Sequence, residues 1–479
     1  MITKPKGCHD IYGEEAKKWN YVSRLIDEVC SRYNYDYIRT PIFESSEVFH
    51  RGVGETSDIV TKETYDFVDR GDRQMTLRPE GTAGVVRSYI ENKMYGDANQ
   101  PTKLYYNGTM YRYERPQSGR DRELTQFGVE VLGSDDPMID AEVISLAVNI
   151  YKIVGLKQIK VNINSLGDKA SRDKYRAALV EYFKPHIKDM CEDCQTRLEK
   201  NPLRILDCKV DCDTDIMKNA PKILDYLNDE SKERFASVQK YLSLLDVDYE
   251  VNPSIVRGLD YYDHTVFEVE ADIKDFGAQN VIGAGGRYND LVKQLDGPEI
   301  PGMGFASGLG RLMLAIEKEG IKLPIDNSID CFVMYVSDTE KDYATTLVQE
   351  LRMNGFKVDT EYTGRGLKGQ FKQADRLNSK FLLILNDEDL KDNLIQVKNN
   401  KTKEDEKVEL DYLMYYLDEH LSENDECDCG DNCDCGENCD CDNCNCGCDC
   451  GEDCNCGDSC DCGEECNCGK ECHCHEEGE

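Results

Sequence analysis

The chain has 479 residues, 39% hydrophobic and 32% charged, a balance that fits a globular protein of two or three domains. No apolar run approaches the about 18 residues of a membrane span, and the opening MITKPKGCHDIYGEEAKKWN lacks the apolar centre of a secretion signal. A cytoplasmic address with no membrane partner is therefore expected. The net charge of −36 rules down a general polyanion-binding surface, but residues 422–479 carry 20 Asp or Glu against the single Lys470, leaving −17 on the rest. Any nucleic-acid contact must use local basic patches.

In chain order, residues 14–33 place Trp19, Val22, Leu25, Ile26 and Val29 at helical spacing, and a strand follows near 37–41. TLRPEGTAGVVRSYI at 76–90 starts a helix at its Pro-Glu-Gly-Thr. KLYYNGTMYRYERPQSGRDRELTQFGVEVLG at 103–133 predicts two strands around a polar turn at 116–122. In the second strand Phe127, Val129 and Val131 share one face while Gln126 and Glu130 share the other. Arg112 and Glu114 have matching parity in the first strand, and Arg120 and Arg122 sit on the turn. Such a hairpin can lay a cationic floor under a nucleotide. Alternation alone fits equally an antiparallel pair with one wet face.

Residues 165–250 read as mostly helical. Within them Cys191, Cys194, Cys208 and Cys212 make C-x2-C-x13-C-x3-C, close to zinc-knuckle spacing; free cytosolic thiols are the alternative. Strands return at 265–270, and GMGFASGLGRLMLAIEKEG at 302–320 reads as a Gly-rich strand followed by a helix with Leu309, Leu312 and Ile316 in the core. Neither this run nor GAGGRYN at 283–289 is a dinucleotide or phosphate-loop fingerprint, because the glycine spacing differs and no GK[ST] follows. A linker, LPIDNS, falls at 323–328. Beyond it, strands at 331–336 and 381–385 and helices at 342–354 and 367–379 predict a small α/β domain with a largely parallel sheet. Lys368, Lys372, Arg376 and Lys380 recur every four residues as a basic stripe, with Leu367, Phe371, Ala374 and Leu377 as the apolar face. The segment 352–380 holds seven Lys or Arg against three acids. From residue 425 the chain is low-complexity. Eighteen of its 25 cysteines lie between Cys427 and Cys474, without apolar residues to build a core. Together with His473 and His475 they could wrap soft cations, about five zinc ions at four ligands each.

Several of these runs carry a family resemblance. YRYERP resembles motif 2 of class II aminoacyl-tRNA synthetases, GMGFASGLGR resembles motif 3, and YDYIRTPIFE at 35–44 is similar to motif 1, with Pro41 in the dimer-forming segment. TLRPEGTAG and VRGLDYYDHTVFEV at 256–269 resemble signatures of histidyl-tRNA synthetases. The resemblance covers about residues 1–421. It implies an α+β fold: an antiparallel-sheet catalytic domain at 1–325 with a helical insertion near 165–250, then an α/β anticodon-binding domain at 326–421. The acidic, disordered Cys-rich tail at 422–479 is outside it.

The implied activity is ligation of histidine to tRNA(His) through histidyl-adenylate, with ATP as substrate, Mg2+ offsetting phosphate charge, and a homodimer as the working form. By resemblance Glu80, Thr82, Gln126, Glu130, Tyr261 and Tyr262 bind histidine, and Arg112, Glu114, Arg120 and Arg311 bind ATP. Arg257 and Arg112 serve catalysis at the α-phosphate. Gln117, Lys368, Lys372 and Arg376 are the expected tRNA contacts, while zinc in the insertion rests on its four cysteines. Departures from the family pattern are Leu124, where an aromatic residue beside adenine is usual, Thr125, and Ala284 in place of a pocket glycine. A non-catalytic, histidine-sensing regulatory paralogue is the alternative; such paralogues typically lack both the RGLDYY-type signature and the C-terminal domain. A metal-storage role rests on the tail alone.

Overall fold

The computed structural model describes residues 1–53, 59–116, 119–206, 208, 210–255, 261–274, 276 and 280–422. The cysteine-rich stretch from 423 onward, with its expected disorder and metal binding, lies outside the described residues. The described residues divide into two compact units, one within Met1–Ile325 and one in the described part of Asp326–Glu479.

In the first unit the predicted hairpin forms from strands Thr102–Tyr111 and Glu123–Leu132, paired antiparallel from Thr102↔Leu132 to Tyr111↔Glu123. It extends into an eight-stranded sheet in the order 36–37, 102–111, 123–132, 302–308, 281–287, 263–271, 159–165, 250–251. All pairings are antiparallel except the two short outer ones. Phe127, Val129 and Val131 turn to one face and are buried there against helices Gly13–Arg32 and Pro137–Ile153. The second helix starts cleanly because Asp136 accepts the Met138 N–H at 2.8 Å and Pro137 presets the first turn. The opposite face carries the polar Gln126 and Glu130 beside smaller apolar clusters that include Leu104, Met110 and Leu132.

The strand expected near 37–41 is confined to Asp36–Tyr37. Phe43–Ser45 pairs instead in a separate three-stranded sheet with Tyr65–Val68 and Gln74–Leu77. Residues 165–250 are helical as expected, around a small core that includes Tyr175, Leu179, Phe183, Cys194 and Cys208.

The second unit holds a five-stranded sheet in the order 358–360, 331–334, 381–384, 394–399, 405–409. The first three strands are parallel. The last two form an antiparallel hairpin, so the sheet is mixed rather than largely parallel. Helix Asp338–Met353 opens on a capping box, Ser337 with Glu340. Helix Leu367–Arg376 buries Gln370 and Ala374. Gln370 is clamped to the sheet by bonds to the Tyr335 carbonyl at 2.7 Å and from the Tyr335 N–H at 3.1 Å. Phe371 and Leu377 pack as predicted, whereas Leu367 is exposed because it stands at the first turn, before the helix meets the sheet.

Candidate active site

The polar face of the sheet floors a cleft of about 1000 Å³, lined among others by Glu80, Thr82, Arg112, Arg120, Tyr261 and Arg311. Its two ends differ in charge.

At one end two carboxylates are buried close together, Glu80 in the cleft lining and Glu130 behind it, bonded to the cleft-lining Thr82. Glu130 projects from the second hairpin strand, opposite Gly304. A Cβ on Gly304 would run into its carboxylate, so the glycine of the 302–308 strand is what leaves Glu130 room. Thr82 donates its hydroxyl to Glu130 Oε1 at 2.7 Å, and the Tyr288 hydroxyl donates to Oε2. Burial pushes Glu130 up to about 8 even so, and the charge of nearby Glu80 adds to the rise. Glu80 is raised by burial as well, against the two backbone N–H groups that hold it, Thr82 at 2.7 Å and Ala83 at 2.9 Å. Glu80 thus caps the helix Thr82–Glu91 and also faces the cleft. Each carboxylate has about four acceptor sites, so capping does not exhaust it. A wall of phenols closes this end: Tyr261 lies 4.6 Å from Tyr262 and 5.7 Å from Tyr288 between ring centroids. Tyr106 fills the space that a Cβ on Gly81 or Gly128 would take. Gln126 faces the cleft with a buried Oε1 that has no hydrogen-bond partner among the described residues.

At the other end three guanidinium groups converge. Arg112 follows directly on the first hairpin strand; its Nε donates to the Pro79 carbonyl at 2.8 Å. Arg311, in the first turn of helix Leu309–Glu319, donates to Gly119 O at 3.1 Å and Val281 O at 2.8 Å. Burial lowers the Arg311 pKa, and the charges of Arg120 and Arg112 lower it further. Burial is also the first cause for the lowered Arg112 and Arg120. Arg120 Nε pairs with Glu114 Oε2, and Arg112 stands 4.0 Å from Glu114 Oε1. Arg120 also stands 3.7 Å from Glu63 Oε1. An arginine does not shed its proton at such sites, so three guanidiniums against these two carboxylates leave a positive excess suited to a polyphosphate.

Two sequence expectations about the hairpin are corrected. The first strand ends at Tyr111, so Glu114 reaches the cleft through the loop and not through strand parity. Arg122 is not on the floor: its guanidinium lies over the Tyr113 ring, 4.0 Å from the centroid, and its Nε donates to Glu114 O at 3.1 Å. The turn is instead anchored by the N-terminal segment. Gly7 O accepts the Arg122 N–H at 2.8 Å, and His9 Nε2 meets Asp121 Oδ1 at 3.0 Å. Gly7 has φ +80°, and a Cβ there would meet Pro116 and Arg122 side chains within 3.0 Å.

Leu124 and Ala284 both line the cleft, as does Thr125. Arg257 and Gln117 lie outside the described residues. Lys368, Lys372 and Arg376 are exposed on their helix. Lys380 leaves the stripe, lying past the helix end 3.7 Å from Asp330 and 3.8 Å from Asp326. Cys191, Cys194 and Cys208 come together with Asp211, while Cys212 is exposed and outside that set. Tyr106 and Tyr288 were not singled out from sequence. Tyr106 shares strand parity with Arg112, which could have found it; Tyr288 stood unread inside GAGGRYN.

A mainly antiparallel sheet that brings the arginine of a hairpin and the arginine of a strand–helix junction to one cleft is the catalytic fold of class II aminoacyl-tRNA synthetases. The chain belongs to the histidyl-tRNA synthetase family, whose model matches residues 7–312, and an anticodon binding domain model matches 330–420. It is 54% identical over 420 residues to a histidine–tRNA ligase of Bacillus cytotoxicus, covering 88% of this chain and 99% of that protein. A histidine–tRNA ligase of a Geobacillus strain is 54% identical over 418 residues, 87% of this chain and 99% of the relative. Among solved structures, the apo histidyl-tRNA synthetase of S. aureus matches with a TM-score of 0.76 and 47% identity, over 87% of this chain and all of that one.

Proposed function

We propose that the acidic end of the cleft binds histidine and the basic end binds ATP, so that the amino acid's carboxylate meets the α-phosphate between them. The enzyme is a histidine–tRNA ligase. In the first half-reaction a histidine carboxylate oxygen forms a bond to the α-phosphorus, and the bond to the bridging oxygen of pyrophosphate breaks. In the second, the terminal ribose hydroxyl of tRNA(His) attacks the histidyl-adenylate carbonyl, loses its proton and releases AMP.

The observation that carries the assignment is one cleft lined by the buried Glu80 and three converging guanidiniums, with a second buried carboxylate, Glu130, held against the cleft-lining Thr82. Glu80 and Thr82 would receive the ammonium, and Glu130 the imidazole N–H, with Tyr261 and Tyr262 packing against the ring and Gln126 accepting a further hydrogen bond. Arg112, Arg120 and Arg311 would hold the phosphates, with Glu114 orienting the first two. Arg257 is assigned to the α-phosphate from its signature. Magnesium enters with ATP and takes oxygen ligands; Glu268, a carboxylate lining the same cleft, would share it. Lys368, Lys372 and Arg376, with Gln117, would contact tRNA, in a cytoplasmic homodimer.

Histidine-dependent ATP–pyrophosphate exchange, run beside every other standard amino acid, tests the reading. Exchange with histidine alone is expected. Histidine binding without exchange would indicate a regulatory, non-catalytic relative instead.

A further inference from the structure

In the helical insertion, outside the cleft, four groups of metal-binding chemistry meet. The Sγ atoms of Cys191, Cys194 and Cys208 and a carboxylate oxygen of Asp211 all lie within 4.8 Å of one another. Cys191 Sγ is 3.6 Å from Cys208 Sγ, and Cys208 Sγ is 3.4 Å from Asp211 Oδ2. For a tetrahedral ion with metal–sulfur bonds of about 2.3 Å and metal–oxygen bonds of about 2.0 Å, the sulfur–sulfur edge is about 3.8 Å and the sulfur–oxygen edge about 3.5 Å. These two separations are close to those edges and far beyond the about 2.05 Å of a disulfide.

The backbone supports the same reading. The Asp211 N–H donates to Cys208 Sγ at 3.4 Å, and the Cys194 N–H donates to Cys191 Sγ. Such N–H···S bonds fix the sulfur's direction, as ligand-orienting contacts do at metal sites. The Cys191 N–H donates to Asp211 Oδ2 at 3.1 Å, so the carboxylate is oriented too. Asp211 is only 7% exposed, and the described partners of its carboxylate include the Cys208 thiol and the Cys191 N–H. The surrounding unit is made of short pieces, 3-10 turns Ile187–Asp189 and Pro202–Ile205 and helix Glu192–Lys200. Elements of that length gain order from a cross-link.

We infer that Cys191, Cys194, Cys208 and Asp211 form a structural zinc site that ties the start of helix Glu192–Lys200 to the 208–212 loop. Asp211 is the fourth ligand, and Cys212, the residue that cysteine spacing alone selects, is not. Three thiolates and one carboxylate close the coordination shell, so the ion has no open position for catalysis. The site is independent of the aminoacylation reading.

The test must see the insertion apart from the tail, whose eighteen cysteines would confound a bulk metal assay. Amide hydrogen exchange resolved by mass spectrometry on the full chain does this, comparing peptides within 187–218 in excess zinc and after chelation. With free zinc about a hundredfold above the dissociation constant, exchange there should slow about a hundredfold where opening releases the metal. Asp211→Ala and Cys208→Ser should abolish the zinc dependence, while Cys212→Ser should keep it. Residue-resolved alkylation should show Cys191 protected by zinc in the wild type and in Cys212→Ser. Equal exchange with and without zinc in the wild type would overturn the site. Loss of the zinc response in Cys212→Ser, with retention in Asp211→Ala, would overturn the ligand assignment.

Discussion

The two ends of the cleft solve the same problem, holding buried ionisable groups in place, by opposite means and with different consequences. At the basic end, Arg112 and Arg311 are fixed by backbone carbonyls, Pro79 O, Gly119 O and Val281 O, so their charge stays available to a ligand. At the acidic end Glu80 is fixed by backbone N–H groups and Glu130 by hydroxyls. Guanidiniums crowded together remain charged, but crowded carboxylates take up protons. The acidic end is therefore sensitive to pH and the basic end is not.

The largest effect is expected from Arg112→Ala. Removing a fixed donor from a developing phosphate charge costs on the order of 10²- to 10³-fold in rate. Pyrophosphate exchange should fall by that much, with the Kd for histidine alone changed less than about threefold. A large loss of histidine affinity with the rate constant preserved would mean that the two ends are not separable.

Glu130→Gln comes next. Loss of a charged hydrogen bond of about 1.5–3 kcal/mol should weaken histidine binding by roughly 10- to 100-fold, while ATP binding is retained. The pH behaviour sharpens the contrast. With Glu130 raised to about 8, most of it is protonated at neutral pH in the free site. A bound cation favours the carboxylate, so histidine uptake should release up to one proton. Calorimetry in buffers of different ionisation enthalpy reads that number; in Glu130→Gln it should vanish. The sign for stability follows from the same shift. Between the ordinary 4.5 and about 8 the folded state holds a proton that the unfolded chain has lost, so this group's contribution falls as pH rises through that window. Denaturation midpoints should lose part of their decline over that range in the Gln variant, and no change would mean that Glu130 titrates normally.

How much of this was legible beforehand depended on whether a residue's role left a periodic trace. The hairpin and the strand–helix unit at 302–319 did, because alternation and glycine spacing are local properties. The helix Pro137–Ile153 did not: it is buried on nearly every side, so it has no stripe to read. The hairpin at 394–409 hid because its outer strand, Asp405–Glu409, is largely exposed and charged. Glu80, Arg112, Arg120 and Arg311, which line the cleft, were picked out by motif and Glu268 was not, while Glu114 was misplaced by continuing strand parity past the last paired residue. Tyr288 was missed because a tyrosine in a glycine-rich strand looks like packing; only the fold brings its hydroxyl to Glu130. Asp211, which groups with Cys191, Cys194 and Cys208, was not considered because counting cysteines assumes that all four ligands are of one type.

The smallest effect marks where the basic end stops. Arg122 neighbours Arg120 in sequence terms, two residues away on the same turn, but its charge is spent on the Tyr113 ring and on Glu114 O. Such a cation–π contact is worth about 0.5–1 kcal/mol at a partly exposed site. Arg122→Ala should therefore lower thermal stability slightly and change pyrophosphate exchange by less than about threefold, whereas Arg120→Ala, which removes a group lining the cleft, should change it far more. If the two variants lose activity equally, the turn swings Arg122 inward when nucleotide binds. The basic end would then be a loop-borne cluster of four guanidiniums, its geometry set by the ligand and not by the carbonyls that hold Arg112 and Arg311.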